Sequence, residues 1–214
     1  MKILIAEDQP PAALFLRRIL EKMGHQVQVA PDGEAAWRIV CQGETPILIS
    51  DWTMPHVDGL ELCRRIRTAG GDRYTYIILL TSRDRREDRL EGLSAGADDF
   101  LTKPICQDEL TLRLEIAERI LAVHDHLARQ NLQLAHQATH DGLTGLPNRS
   151  HLQSELERRL DGQTIDRQLA LLLIDLDRFK EINDAFGHHC GDLLLQALAQ
   201  IGRASCRERV CYAV

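Results

Sequence analysis

Carboxylates stand where short apolar runs end. Ile47-Leu48-Ile49-Ser50 leads into Asp51, and Trp52-Thr53-Met54-Pro55 turns the chain at once. Lys2-Ile3-Leu4-Ile5-Ala6 ends in the same way on Glu7-Asp8, Tyr76-Ile77-Ile78-Leu79-Leu80 on Thr81-Ser82, and Asp99-Phe100-Leu101-Thr102 on Lys103-Pro104. Taken alone, Asp51 reads equally as a turn residue or as the cap of the next helix. Four such ends together offer Glu7, Asp8 and Asp51, the Thr81 hydroxyl and the Lys103 ammonium, a sorting that turn chemistry alone does not explain. Three crowded carboxylates repel one another, so the crevice calls for a hard divalent cation such as Mg²⁺, which takes oxygen ligands. A phosphoryl group fits the rest. Mg²⁺ would neutralise its oxygens on one side, Lys103 would act as a point charge on another, and Thr81 would donate a hydrogen bond. Asp51 is then the candidate nucleophile.

To bring these side chains together the runs must be strands of one sheet. The runs that end on Asp51 and on Glu7 are continuously apolar rather than alternating, the pattern of strands buried on both faces in a parallel sheet, where ligands gather at the carboxyl ends. Helical patterns separate them. Pro10-Pro11 opens a helix with Ala13, Leu14, Leu16, Ile19, Leu20 and Met23 on one face, stopped by Gly24. Gln26 to Val29 is a further strand, Asp32-Gly33-Glu34 opens a helix through Val40, Asp58 begins another to about Arg67, and Asp84 to Ala95 is helical with Gly96 as its stop. Alternating strands and helices predict an α/β fold.

From Asp108 one long helix is expected to about Ala138, without internal Gly or Pro. Ile116, Ile120, Val123, Leu127, Gln130, Leu134 and Gln137 recur at steps of four and three, a heptad seam able to dimerise weakly; the alternative is that its first half packs on the preceding domain and the rest is a solvated connector. His124, His126 and His136 do not converge on one face by spacing, so metal binding is not expected of them. Thr139-His140-Asp141-Gly142-Leu143-Thr144-Gly145-Leu146-Pro147-Asn148-Arg149 breaks the helix and starts a second domain, with a helix to about Leu160 and a buried strand from Gln168 to Ile174. That strand ends on Asp175-Leu176-Asp177, and a later apolar helix begins near Asp192. By spacing alone, Asp175 and Asp177 read as turn residues and Asp192 as a cap as readily as functional groups.

Composition narrows the partners. The chain has 214 residues, 44% hydrophobic, and a net charge of -6. No basic cluster interleaved with aromatics is present, so DNA is not an expected partner. The longest apolar run, Leu169 to Ile174, is too short for a bilayer, and Met1-Lys2 leads directly into a strand, so a cytoplasmic protein without a membrane partner is expected. Six cysteines without a C-x-x-C pair fit reduced thiols.

Residues 1–121, through Ala6-Glu7-Asp8, Ser50-Asp51-Trp52-Thr53-Met54-Pro55, Leu79-Leu80-Thr81-Ser82 and Leu101-Thr102-Lys103-Pro104, resemble the receiver domain of two-component response regulators. The resemblance implies a flavodoxin-like (βα)5 fold with a five-stranded parallel sheet. It implies that Asp51 takes a phosphoryl group from a sensor histidine kinase or phosphotransfer protein, with Glu7, Asp8, Asp51 and the Thr53 carbonyl holding Mg²⁺. It also implies that Thr81 and Phe100 are switch residues; by its own pattern Phe100 reads as core. A Phe in place of the family's frequent Tyr lacks a phenolic hydrogen bond.

His140-Asp141-Gly142-Leu143-Thr144-Gly145-Leu146-Pro147-Asn148-Arg149, followed by Asp175-Leu176-Asp177-Arg178-Phe179-Lys180 and onward to Gly191-Asp192, resembles the opening half of a GGDEF domain, the diguanylate cyclase module that condenses two GTP into cyclic di-GMP. This implies a partial α+β, nucleotidyl-cyclase palm-like fragment over 139–200 after a helical stalk at 108–138. It implies that Asp175 and the Leu176 carbonyl serve a second Mg²⁺ site, that Phe179 and Lys180 lie near the phosphates, and that Asn183 and Asp192 read guanine. The Gly-Gly-(Asp/Glu)-Glu-Phe signature is missing, and Gly70-Gly71-Asp72 is no substitute. Without the signature the chain as written is expected to be inactive as a cyclase, and residues 201–214, which interrupt the apolar pattern, resemble a foreign tail. The expected parent is a response regulator whose phosphorylation controls a diguanylate cyclase, working as a homodimer. The rivals are a non-enzymatic phospho-switch that signals by binding and a degenerate GGDEF module that binds nucleotide.

Overall fold

The computed structural model describes residues 1–43, 45–70, 74–82, 86–161 and 173–205. The chain divides into two compact units, Met1–Ala128 and Arg129–Val214.

In the first unit the described strands are β1 (Lys2–Ala6), β2 (Gln26–Ala30), β3 (Ile47–Asp51), β4 (Tyr76–Thr81) and β5 (Asp99–Thr102), with α1 (Pro10–Lys22), α2 (Gly33–Val40), α3 (Gly59–Ala69), α4 (Arg86–Ala95) and the start of α5 (Gln107–Thr139) between and after them. They form one parallel sheet in the order β2-β1-β3-β4-β5. This is the flavodoxin-like arrangement that the resemblance implies, in which the order reverses at β1 and opens a crevice at the carboxyl ends of β1 and β3. Side chains of alternate residues take opposite faces. Ile3, Ile5, Ile47, Ile49, Ile78 and Leu80 pack with Leu16 and Leu20 of α1 and with Leu110, Leu114, Ala117 and Leu121 of α5. Leu4, Ala6, Leu48, Ile77 and Leu79 face Ala36, Leu62, Cys63 and Ile66 on α2 and α3. The continuous apolar runs follow directly from this two-sided burial.

Helix starts are fixed locally. The Asp32 carboxylate accepts from Ala35 N–H and the Asp58 carboxylate from Glu61 N–H, each at 2.7 Å, so both acids cap first turns rather than serve the crevice. A second fixture ties α3 to the sheet: Arg67 donates to the Gly96 and Thr75 carbonyls and to Asp98, while Asp98 also accepts from Ile77 N–H and the Tyr74 hydroxyl.

Helix α5 runs a residue past the expected stretch at either end. Its buried positions are Leu110, Leu114, Ala117 and Leu121, the half that packs on the sheet, whereas Val123, Leu127, Leu132 and Leu134 are exposed.

In the second unit the described helices are α6 (Arg149–Asp161), α7 (Phe179–Phe186) and α8 (His188–Ser205). The turn before α6 is stitched: Asp141 Oδ1 accepts from the Thr144 N–H and hydroxyl, Asn148 N–H donates to the Thr139 carbonyl, and Asn148 Oδ1 accepts from His151 N–H. Most of the expected strand Gln168–Ile174 lies outside the described residues; its last two, Leu173 and Ile174, are exposed and in no regular element. Helix α7 was not expected from the sequence. Helix α8 continues to Ser205, so Gly202 does not interrupt it as the sequence pattern suggested; a single glycine in a helix weakens it without ending it.

Candidate phosphoacceptor site

The crevice forms where β1, β3, β4 and β5 end. Glu7 is 2% exposed, Asp51 7% and Thr81 1%, while Asp8 faces solvent. The parallel register sets Thr81 of β4 against Thr102 of β5, and Lys103 N–H donates to the Thr81 carbonyl at 2.8 Å, which brings Lys103 to the crevice. Its Nζ lies 2.9 Å from Glu7 Oε2 and 2.9 Å from Asp51 Oδ2. Burial works against the ammonium, but the hydrogen bonds and charges of Glu7 and Asp51 outweigh it and hold the Lys103 pKa above its usual value. Asp51 Oδ1 accepts from Trp52 N–H at 2.8 Å, and Glu7 Oε1 from Gln9 N–H at 3.3 Å.

Three carboxylates against one ammonium leave the crevice net negative. Oxygens of Glu7, Asp8 and Asp51 all lie within 4.8 Å of one another. Two of these acids are buried, and hard oxygen donors at such spacing suit Mg²⁺ with waters completing its shell. The donor set therefore fits the ion that the sequence called for. Thr53 lies on the exposed loop after Asp51, and Phe100 is half-buried on β5 beside Trp52, against the apolar layer under α2 and α3. A cavity of about 190 Å³ lined by Lys2, Leu4, Gln26, Gln28, Ile39 and Thr45 sits at the amino ends of β1 and β2, away from these groups.

In the second unit the expected nucleotide residues are only partly gathered. Asp175 and Lys180 are exposed, Leu176 and Phe179 half-buried, and the Leu176 carbonyl accepts from Phe179 N–H at 3.3 Å. Asn183 on α7 meets the first turn of α8 beside Asp192: a Cβ on Gly191 would fall 2.0 Å from Asn183 Oδ1. Only a glycine there lets the amide lie so close. Among the described residues, Asp175 and Asp192 belong to no carboxylate group of metal-binding spacing.

Two of the three histidines of α5, His124 and His136, stack on other rings. His124 stacks on Tyr74 at 4.2 Å, while His136 stacks on His140 at 3.9 Å, and His140 on His151 at 6.2 Å. The Thr139 hydroxyl donates to the Ala135 carbonyl at 2.7 Å and lies 2.9 Å from His140 Nδ1. Sequence spacing could not show these stacks, because two of the rings enter through the turn at 139–148.

An acidic crevice with one lysine at the carboxyl ends of a flavodoxin-like sheet is the arrangement that the receiver resemblance implies, and the comparisons with known proteins bear on the same residues. The response regulator receiver domain family matches residues 3–115, more than half of the chain, and the chain belongs to that family. The diguanylate cyclase GGDEF domain family matches residues 138–213. The Response regulator MprA of Mycobacterium ulcerans is 36% identical over 134 residues, 63% of this chain and 57% of that protein. The Transcriptional regulatory protein RprY of Bacteroides fragilis is 36% identical over 115 residues, 54% of this chain and 48% of that protein. The chain thus spans about half the length of the curated relatives it matches. Among solved structures, the Francisella response regulator 1452 receiver domain is 35% identical with a TM-score of 0.52, covering 55% of this chain and 96% of that one. A structure described as a two-component response regulator/GGDEF domain protein is 26% identical with a TM-score of 0.54, covering 57% of this chain and 50% of that one. No helix among the described residues is long and apolar enough to cross a membrane.

Proposed function

We propose that Asp51 accepts a phosphoryl group from a phosphohistidine on a sensor histidine kinase or phosphotransfer protein, and that this controls a GGDEF output making cyclic di-GMP from two GTP. The observation that carries the proposal is Lys103 Nζ at 2.9 Å from both Glu7 and Asp51, with Asp8 completing a carboxylate triad. An Asp51 oxygen attacks phosphorus as the P–N bond of the donor breaks, and the imidazole leaves with a proton. Lys103 meets the incoming negative charge, and Thr81 donates its hydroxyl to a phosphoryl oxygen. Glu7, Asp8 and Asp51, with the Thr53 carbonyl, would hold Mg²⁺, which neutralises phosphoryl oxygens. Trp52 N–H orients Asp51 through Oδ1.

In the output unit, Asp175 and the Leu176 carbonyl would serve a second Mg²⁺ site. Amides near Phe179 and Lys180 would approach phosphates, and Asn183 and Asp192 would read the guanine edge. The neighbouring placement of Asn183 and Gly191-Asp192 supports the last pair. Each output unit holds one GTP, so two copies must meet. The exposed apolar residues Val123, Leu127 and Leu134 of α5 support a homodimer through the stalk.

The test is conversion of GTP to cyclic di-GMP, with and without a small phosphodonor and Mg²⁺, by a protein in which this chain is continued through a Gly-Gly-(Asp/Glu)-Glu-Phe signature, because the chain as written is expected to make no product. The proposal expects product that rises with donor in the wild type and is indifferent to donor in Asp51→Asn. Equal response in both would remove Asp51 from control, and no product in any state would leave a switch that signals by binding.

A further inference from the structure

We infer that Tyr74 is a clamp on the stalk: its ring takes the ring of His124 and extends the first unit's hold on α5 one turn beyond the core. The inference rests neither on phosphoryl transfer nor on dimerisation. The buried residues of α5, Leu110, Leu114, Ala117 and Leu121, follow steps of four, three and four, so the next position of the stripe is 124. His124 stands there, where an apolar side chain would continue the packing. Residues 122–128 are exposed, and what His124 meets is the Tyr74 ring, parallel to its own and 4.2 Å away centre to centre. The first compact unit accordingly ends at Ala128, a turn past this contact, rather than at Leu121.

Tyr74 is fixed by groups that do not belong to α5. Its hydroxyl donates to Asp98, which also accepts from Arg67 at 2.6 Å and from Ile77 N–H at 2.7 Å. The central carbon of the Arg67 guanidinium lies 4.7 Å from the centre of the Tyr74 ring, within reach of a cation–π contact. Arg67 is tied in turn to the Gly96 and Thr75 carbonyls, each at 2.8 Å. A ring ordered in this way gives up little further freedom when His124 lies on it, so the contact between them is retained as net stabilisation. The consequence for the stalk is its orientation. With position 124 held against the unit, Val123 and Leu127, its neighbours on the helix surface, are left exposed. The clamp fixes which side of the stalk is turned outward.

The test is amide hydrogen exchange in the full chain, read at residues 125–128, whose N–H groups donate to the carbonyls of 121–124 in a helix. Wild type is compared with Tyr74→Phe, Tyr74→Ala, His124→Ala and the Tyr74→Ala/His124→Ala double variant. Both single alanine changes are expected to speed exchange there about fivefold, the scale of one ring-on-ring contact. Alanine is the better helix former, so without the stack His124→Ala would slow exchange instead, and the sign alone separates the two cases. The double variant is expected to exchange no faster than either single one, because each removes the same contact. Tyr74→Phe keeps the ring and should keep most of the protection. Unchanged or slower exchange in His124→Ala overturns the inference, as does an acceleration shared equally by the strands, or one as large in Tyr74→Phe, which would assign the effect to the hydroxyl. Should Tyr74→Ala fail to fold, His124→Ala, at an exposed position, decides by itself.

Discussion

Lys103 decides the balance of charge at the crevice. Removing its ammonium as Lys103→Met leaves buried Glu7 and Asp51 facing each other without a cation. Labelling by a small phosphodonor with Mg²⁺ is expected to fall at least about tenfold, the effect of losing a charge-assisted contact of ~1.4 kcal/mol. A labelling rate unchanged in a time course would remove Lys103 from the chemistry. The sign of its pKa shift fixes the pH range. A raised folded value means that the ammonium's contribution is fully present below the ordinary value of 10.5 and is lost only as pH rises through the higher folded one. Lys103 should therefore cause no decline in labelling between neutral pH and 10.5.

Another residue is defined by inertness. Burial pushes the Cys63 thiol up to about 12, whereas Cys41, Cys106 and Cys190 are exposed. Alkylation at pH 8 followed by peptide mapping should modify those three at least about tenfold faster than Cys63. Comparable rates would mean that the core opens readily. At this scale the crevice was legible in the sequence because every member terminates an apolar run. The stack of His124 on Tyr74 was not, because its rings come from α5 and from the entry to β4, far apart in sequence.

Among the elements, helix caps give the cleanest energetics. The carboxylate of Asp58 caps α3, which carries Leu62, Cys63 and Ile66 into the core, so Asp58→Ala should destabilise the receiver by ~1 kcal/mol in urea melts. No loss would mean that the cap is redundant with packing. The turn before α6 gives a pH signature. The Thr144 hydroxyl, then its N–H, hold the Asp141 pKa below its ordinary value of 3.8. That contribution is fully present above 3.8 and lost as pH falls through the lowered folded value. A carboxyl-carbon NMR titration of Asp141 should show a midpoint below 3.8, and a midpoint at or above it would contradict the hydrogen bonds drawn here.

The strands β1, β3 and β4 were legible because both their faces are buried, whereas the edge strand β2 showed itself by its alternation of Gln and Val. That the first half of α5 packs on the sheet stood in the sequence as one of two readings, since a heptad seam and a packing stripe have nearly the same period. Helix α7 was missed for a related reason: it has no buried residue, and its polar residues Lys180, Glu181, Asn183 and Asp184 obscure the apolar spacing of Phe179, Ile182 and Phe186.

Over the whole molecule one helix, α5, runs from the unit that carries the acidic crevice into the second unit. If the stalk dimerises, light scattering should show a dimer fraction that rises with phosphodonor and Mg²⁺ and is lost in Leu127→Asp/Leu134→Asp. A monomer under every condition would leave α5 as a connector only. All of this depends on one covalent event. The most direct measurement is the intact mass of the protein after incubation with a small phosphodonor, with and without Mg²⁺, in wild type and Asp51→Asn. The account predicts one added phosphoryl group, dependent on Mg²⁺ and absent from Asp51→Asn. An unmodified wild type, or an equal adduct on Asp51→Asn, would contradict it.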